Sequence, residues 1–99
     1  MRLIEKEMLE AIRDGRDWAK DNTRVEVESG DCIQFIANIY LHTHLIAVVW
    51  CRKGFNDVVT VSEDTLSEWP TRTTMSRLRA LGVDVCTRKG EVMLNGESI

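Results

Sequence analysis

The middle of the chain, residues 23–61, alternates apolar and polar residues with a period of two and is rich in β-branched side chains. Such alternation is typical of strands that bury one face of a sheet. Val25 and Val27 alternate with charged neighbours in a first strand, which we expect to end at residues 29–31. Three further strands are predicted, over residues 32–41, 45–52 and 58–61. Because the connections are short, the region predicts a four-stranded antiparallel meander.

The segment before the meander has helical periodicity instead. Ile4, Met8 and Ile12 recur at helical spacing, with charged residues between them. We therefore predict a helix over residues 2–14 that ends at Gly15, since glycine accepts the left-handed conformation that closes a last helical turn. The alternative is a helix that continues through Gly15. We disfavour it because glycine in a helix interior costs about 1 kcal/mol relative to alanine.

A second helix is predicted within residues 69–82. Thr71, Thr73 or Thr74 can each cap its N-terminus by accepting a backbone N–H, and Gly82 can end it. The apolar residues that we expect to point into the core are Met75, Leu78 and Leu81.

Residues 83–86 and 91–94 flank a turn that contains Gly90, which predicts a closing hairpin. Ninety-nine residues with 43% apolar content can bury one core, so we expect a single domain over residues 1–99. The predicted fold class is α+β, in the order α-β-β-β-β-α-β-β. It consists of a small antiparallel sheet, a meander of about four strands plus a C-terminal hairpin, with two helices covering one face.

Charge and hydropathy exclude some classes of protein. The net charge is −3 and the isoelectric point is about 5.3, which is too mild for an acidic DNA mimic. The longest apolar run, residues 45–51, cannot span a bilayer, so no membrane segment is predicted. Residues 71–90 nevertheless carry a balance of about +4, leaving about −7 on the rest. Their basic residues are Arg72, Arg77, Arg79, Arg88 and Lys89.

The basic segment has two interpretations. Arg72 and Arg79 fall on one surface of the second helix, with Arg77 on a different flank. Together with the hydroxyl of Thr73 and the free N–H groups of a helix N-terminus, they suit a phosphate. In the alternative, the threonines only cap the helix, and the arginines solvate it or pair with the acidic first helix.

Two tryptophans, Trp50 and Trp69, and Tyr40 could anchor an interface, because aromatic residues supply much of the binding energy between proteins. Trp50 alternates with Val48, so we expect it in the core. Trp69 precedes Pro70 and either staples the start of the second helix or meets a partner. Trp18 has the same ambiguity.

The cysteines and histidines indicate neither catalysis nor a metal. Cys32, Cys51 and Cys86 are an odd set without C-x-x-C spacing, typical of free buried thiols in a reducing cytoplasm. His42, His44 and Cys51 could in principle supply three zinc ligands, but histidines in a turn are usually surface residues. We predict no metal site, no cofactor and no catalytic site.

Three segments carry a resemblance to a known family. They are Leu-His-Thr-His-Leu-Ile-Ala over residues 41–47, Trp-Pro-Thr-Arg-Thr-Thr over residues 69–74 followed by Arg77 and Leu78, and Leu-Asn-Gly over residues 94–96. The chain resembles a family of small phage- and plasmid-encoded proteins of unknown function. The chain departs from the family pattern at Glu68, Arg79 and residues 92–93. The resemblance implies an origin in a mobile element.

These observations predict a non-enzymatic phage- or plasmid-encoded accessory protein that acts in the host cytoplasm. We expect it to bind a host protein, for example as an inhibitor of a host defence system, such as CRISPR, or of a replication complex. The alternative is nucleic-acid binding through the basic segment. The chain is expected to be a monomer, or a homodimer that closes the exposed sheet edge. The candidate binding residues are Trp69, Arg72, Thr73, Arg77, Arg79, Arg88 and Lys89.

Overall fold

The computed structural model describes residues 2–30, 33–52 and 54–98, and within these ranges the chain forms three helices and eight strands. The helices are α1 (Leu3–Asp14), α2 (Glu63–Glu68) and α3 (Arg72–Ala80). The strands are β1 (Trp18–Lys20), β2 (Thr23–Glu28), β3 (Phe35–Leu41), β4 (His44–Cys51), β5 (Val58–Val61), β6 (Val85–Arg88), β7 (Glu91–Leu94) and β8 (Glu97–Ser98). The predicted α+β class is confirmed.

The five strands β1 to β5 form one antiparallel sheet in sequential order, as the period-two pattern of residues 23–61 predicts. Strand β1 adds an edge that the pattern did not predict, because three residues are too few to show alternation. The three helices cover one face of this sheet. Their apolar residues form one core cluster with the inner-facing residues of the strands, including Met8, Ile12, Leu66, Leu78, Val25, Ile39 and Val49.

Helix α1 ends where the sequence predicts. Gly15 has φ +66°, its N–H donates to the Ile12 carbonyl, and the N–H of Arg16 donates to the Ala11 carbonyl. A Cβ atom at Gly15 would lie 2.9 Å from the Phe35 ring, so both the backbone conformation and the packing require glycine.

A β-bulge interrupts the pairing of β3 with β4. Ile39 pairs with Ala47 but Tyr40 pairs with Leu45, which leaves Ile46 as the extra residue. Ile46 and Ala47 are consequently both buried although they are consecutive. The turn that follows places His42, at φ +58°, beside β2, where its backbone N–H donates to the Asn22 carbonyl.

The C-terminal strands form a separate three-stranded sheet rather than extending the first one. The predicted hairpin is its β6–β7 pair, joined by Lys89 and Gly90, both at positive φ as a two-residue hairpin turn requires. Strand β8, which pairs with β7, was not predicted. Val85 and Val92 pack this sheet against the core of the larger one.

Two further features correct the sequence-based expectations. Helix α2 is not among the two helices that the sequence predicted, and it contributes Leu66 to the core. Trp50 is not a core residue but is 37% exposed on the outer face of the larger sheet. Alternation with Val48 was misleading here because both residues lie on the outer face, opposite the buried Val49. No helix in the described ranges is both long and apolar enough to cross a bilayer.

Candidate binding clefts around helix α3

Helix α3 begins with a threonine cap. The Thr71 hydroxyl accepts from the Thr74 backbone N–H at 3.1 Å and lies 2.9 Å from the Thr74 hydroxyl. Of the three threonines that the sequence offered as caps, Thr71 therefore fills the role. Thr74 is buried beneath the cap, whereas Thr73 is half-buried beside it.

A cleft of about 350 Å³ opens between this helix terminus and the β3–β4 turn, and we call it the Trp69 cleft. Leu41 and Ile46 form an apolar part of its lining, and hydroxyls of Thr65 and Thr73 add polar groups. A concave, mainly apolar lining with a few polar groups is the usual form of a binding site.

Trp69 is held in a fixed position at this cleft. Its ring stacks on that of His44, with centroids 5.1 Å apart and an interplanar angle of 26°. Its backbone N–H donates to the Thr65 carbonyl at 2.8 Å. The residue nevertheless remains 49% exposed. Trp69 is thus oriented by its neighbours while about half of it stays accessible.

A second cleft, of about 430 Å³, lies along another side of α3, and we call it the basic cleft. It is lined by Arg2, Arg72 and Arg79 together with Met75, Ser76 and Thr87, and none of these residues carries a carboxylate. Arg79 is oriented by its Nε atom, which donates to the Val85 carbonyl at 2.9 Å. This bond restricts the orientation of the Arg79 guanidinium group.

Arg77 does not belong to either cleft, which corrects its selection as a surface binding residue. It is 3% exposed, and its Nη1 atom lies 2.8 Å from Oε2 of Glu5 on α1. Its Nε atom donates to the Thr23 hydroxyl at 2.9 Å. The structure therefore supports the alternative interpretation for this residue, in which an arginine of the second helix pairs with the acidic first helix.

Glu5 is held in its charged form by these contacts. Burial raises the pKa of its carboxyl, but hydrogen bonds from Ser76 and Arg77 and the charge of Arg77 together outweigh it. The net result is a pKa below the ordinary value of 4.5. Glu5 and Arg77 thus form a fully bonded ion pair inside the protein.

The remaining candidate residues, Arg88 and Lys89, lie away from the basic cleft. Arg88 and Lys89 are exposed at the β6–β7 turn, and neither lines the basic cleft. Thr87 faces the cleft, and alternation along a strand points Arg88 the other way. The structure therefore groups Arg72 and Arg79 with Arg2, which the sequence analysis did not select, and groups Thr73 with Trp69.

Cys51 lies far from His44, with which it was considered as a zinc ligand. His44 begins β4 and Cys51 ends it, a distance of about 23 Å at the usual rise per residue. Among the described residues, no group of three His, Cys, Asp or Glu side chains could hold a metal ion. Burial, followed by the nearby Asp57, raises the pKa of the Cys51 thiol to about 11. Cys51 is a free buried thiol as predicted, Cys86 is free and half-buried, and Cys32 lies outside the described residues.

Comparison with known proteins identifies the family of the chain. No curated protein and no solved structure matches it. The model of the Kyanoviridae Gp96 protein family matches residues 1–99, which agrees with the expected origin in a mobile element. The chain therefore belongs to the Kyanoviridae Gp96 protein family, a family of phage proteins.

Proposed function

We propose that this phage protein is a non-enzymatic accessory protein that binds a host protein in the host cytoplasm, through the Trp69 cleft. Its target would be a component of a complex that the phage has to inhibit, such as a defence or replication complex. The observation that carries the proposal is the position of Trp69, which is stacked on His44 yet 49% exposed at the mouth of an apolar cleft.

The energetics of interfaces support this choice. A few anchors, often tryptophans, supply most of the binding free energy, and truncating one costs about 2 kcal/mol or more. An anchor that is already oriented loses little side-chain entropy when it binds. Trp69 has this property because its ring stacks on that of His44.

The cleft also indicates what it would accept. Its apolar lining at Leu41 and Ile46 suits an aliphatic or aromatic side chain of the partner. The Thr73 hydroxyl can bond to the backbone of the same segment. The hydroxyls of Thr71 and Thr74 are engaged in the helix cap, which favours recognition over chemistry at this place.

Quantitative affinity purification from host lysate tests the proposal. The bait proteins are the parent, Trp69→Ala, and Phe55→Ala as a matched control, since Phe55 is an aromatic residue that is 69% exposed elsewhere. A host protein retained by the parent and by Phe55→Ala should be lost with Trp69→Ala. Calorimetric titration with the purified host protein should then give an affinity at least about 30-fold lower for Trp69→Ala. Equal recovery of the host protein by all three baits would exclude the Trp69 cleft as its binding site.

A second candidate function, nucleic-acid binding, is favoured by the basic cleft. Arg2, Arg72 and Arg79 meet there without a carboxylate in the lining. Guanidinium groups bind phosphate oxygens in bidentate geometry, and contacts to phosphates carry most sequence-independent affinity.

Titration of duplex DNA at increasing salt concentrations tests this candidate. Each phosphate contact contributes about −0.9 to the slope of log affinity against log salt. Arg72→Ala and Arg79→Ala should each make the slope shallower by about 0.9, which is the contribution of one phosphate contact. Arg13→Ala is the matched control, because Arg13 is exposed on α1 and does not line the cleft. Absence of any protein–DNA complex at low salt would rule out nucleic-acid binding through the basic cleft.

A further inference from the structure

Strand β5 is the last strand of the larger sheet, and among the described residues no strand pairs with its outer edge. Its sequence is Val-Val-Thr-Val, without a charge, a glycine or a proline. Val59 and Val61 pack against the core cluster, which fixes the strand in place. An uncharged, β-branched strand at an open edge presents backbone N–H and C=O groups that can pair with another chain.

The hydrogen-bond pattern shows which backbone groups of β5 face the open edge. The Ser62 N–H donates to the Ile46 carbonyl at 3.0 Å, in continuation of the β4–β5 register. Because bonded and non-bonded pairs alternate along antiparallel strands, every second residue before Ser62 bonds to β4. Val59 and Val61 lie between those residues, so their N–H and C=O groups point to the open edge. No hydrogen bond within the described ranges engages these four groups.

The other sheet edges of the described chain are capped or short. Where β2 extends past β1, the Val27 N–H donates to Oδ1 of Asp17 at 2.7 Å. On β6, the Val85 carbonyl accepts from Nε of Arg79 at 2.9 Å. Strands β1 and β8 have only three and two residues. Of the terminal strands described, β5 is thus the only one that has four residues and no side-chain cap.

The charges at the two ends of β5 are negative. Asp57 precedes the strand and Glu63 follows it, and both are exposed. Neither carboxylate belongs to an ion pair of the described residues. Arg52, which follows the neighbouring strand β4, lies over the Phe55 ring with its Cζ atom 4.9 Å from the ring centroid. A strand added at the open edge would therefore meet a carboxylate near each of its ends, which favours a segment with basic ends.

The same two carboxylates disfavour a second copy of the chain at this edge. If two β5 strands paired antiparallel through all four edge groups of each, Val59 of one copy would lie opposite Val61 of the other. That register also brings Asp57 of each copy opposite Glu63 of the other. Like charges directly opposite each other destabilise a strand pair. The edge therefore suits a segment of a different protein.

We infer that the open edge of β5 binds an extended segment of another protein as a sixth strand, antiparallel to β5, with a lysine or arginine at each end of the segment. Main-chain hydrogen bonds to Val59 and Val61 supply the affinity, and the terminal charges supply the selectivity. No residue of β5 lines the Trp69 cleft, so the inference does not depend on the proposed function.

A nuclear magnetic resonance titration of the full chain with the peptide Lys-Thr-Val-Thr-Val-Thr-Lys, blocked at both termini, tests the inference. Its valines lie opposite Val61 and Val59 when its lysines meet Glu63 and Asp57. The amide signals of Val59 and Val61 should shift most, and their exchange with solvent should slow. The same peptide with glutamate at both ends should bind at least about tenfold more weakly. A peptide N-methylated at both valines should not bind, because it lacks the N–H groups that the edge carbonyls accept.

A proline substitution tests the same edge from the protein side. Val59→Pro removes an N–H that faces the open edge, where proline is tolerated, and should abolish peptide binding. Ala19→Pro is the matched control and should bind like the parent. Ala19 faces outward at the opposite edge, because Val25 and Thr23 of β2 bond to its two neighbours. Thermal unfolding confirms that each variant is folded, and the N-methylated peptide keeps the test independent of the variants.

Four outcomes would overturn the inference. They are a parent whose Val59 and Val61 signals do not move, shifts confined to the residues of the Trp69 cleft, N-methylated and unmodified peptides of equal affinity, and a folded Val59→Pro variant that binds like the parent. Sedimentation equilibrium adds a fifth. A parent dimer that Val59→Pro dissociates would show that a second copy occupies the edge.

Discussion

The Nη1 atom of Arg77 lies 2.8 Å from Oε2 of Glu5, and both side chains are at least 95% buried. Removing one member leaves the other as an unpaired buried charge. We therefore expect Arg77→Met to lower the free energy of unfolding by about 3–5 kcal/mol. Urea denaturation measures this loss. Arg13→Met, at an exposed position of α1, is the control and should cost less than about 1 kcal/mol.

Replacing both members should restore most of the stability. A Glu5→Leu and Arg77→Met double variant leaves no buried charge, and apolar replacement of a whole buried pair is often neutral or stabilising. The same urea titration decides the outcome. A double variant less stable than Arg77→Met alone would show that the pair is not a self-contained unit.

Stability should fall in acid because of Glu5. The pKa of this carboxyl is lowered in the folded protein, so the folded state binds the proton less readily than the unfolded state does. Its contribution is fully present above the unfolded value of about 4.5 and is lost as the pH falls through the lower folded value. Urea titrations from neutral pH down to acid should show this loss. In Glu5→Gln the corresponding part of the pH dependence should disappear.

The helix cap predicts a difference between two neighbouring threonines. Thr71→Ala removes the acceptor of the Thr74 N–H and should cost about 0.5–2 kcal/mol. Among the described residues the Thr73 hydroxyl makes no cap hydrogen bond, so Thr73→Ala should cost less. Thermal unfolding of the two variants makes the comparison. Equal losses would contradict the assignment of Thr71 as the cap.

Trp69 should contribute less to stability than a core residue of the neighbouring helix. The stacked pair with His44 contributes about 0.5–1.5 kcal/mol beyond the area that it buries, and about half of Trp69 remains exposed. Leu78 is fully buried, and Leu78→Ala should cost about 2–5 kcal/mol. Trp69→Ala should therefore melt at a higher temperature than Leu78→Ala. The reverse order would identify Trp69 as a structural staple.

The two described cysteines should differ in reactivity. Burial keeps the pKa of Cys51 at about 11, so its thiol stays protonated near neutral pH. Alkylation of the folded protein should be slower at Cys51 than at the half-buried Cys86. Peptide mass spectrometry measures the two rates separately. In urea the two rates should converge, and equal rates without urea would show that Cys51 is accessible.

Periodicity predicted most of the larger sheet because each of its long strands buries one face. It could not predict β1, whose three residues give no period, nor the exposure of Trp50, since alternation does not say which face is covered. Strand β8 could have been predicted from the sequence. Asn95-Gly96 is a strong signal for a hairpin, and both residues have positive φ in the turn between β7 and β8.

The candidate site was predictable only in part. Helical spacing placed Arg72 and Arg79 together, and the exposed Trp69 was one of two predicted alternatives. Arg77 was misassigned because its burial depends on Glu5, which no local pattern links to it. Arg2 was missed for the same reason, since only the packed fold brings it to α3.

The bond between Glu5 and Arg77 joins residues 72 positions apart, which constrains the order in which a nascent chain can fold. At ordinary rates of translation, the arginine is synthesised roughly 4–14 s after the glutamate. Until then, docking α1 onto the sheet would bury an unpaired carboxylate, so α1 stays at least partly in water. The closing step of folding therefore waits for α3, and the inner face of the growing sheet remains open to chaperones during synthesis.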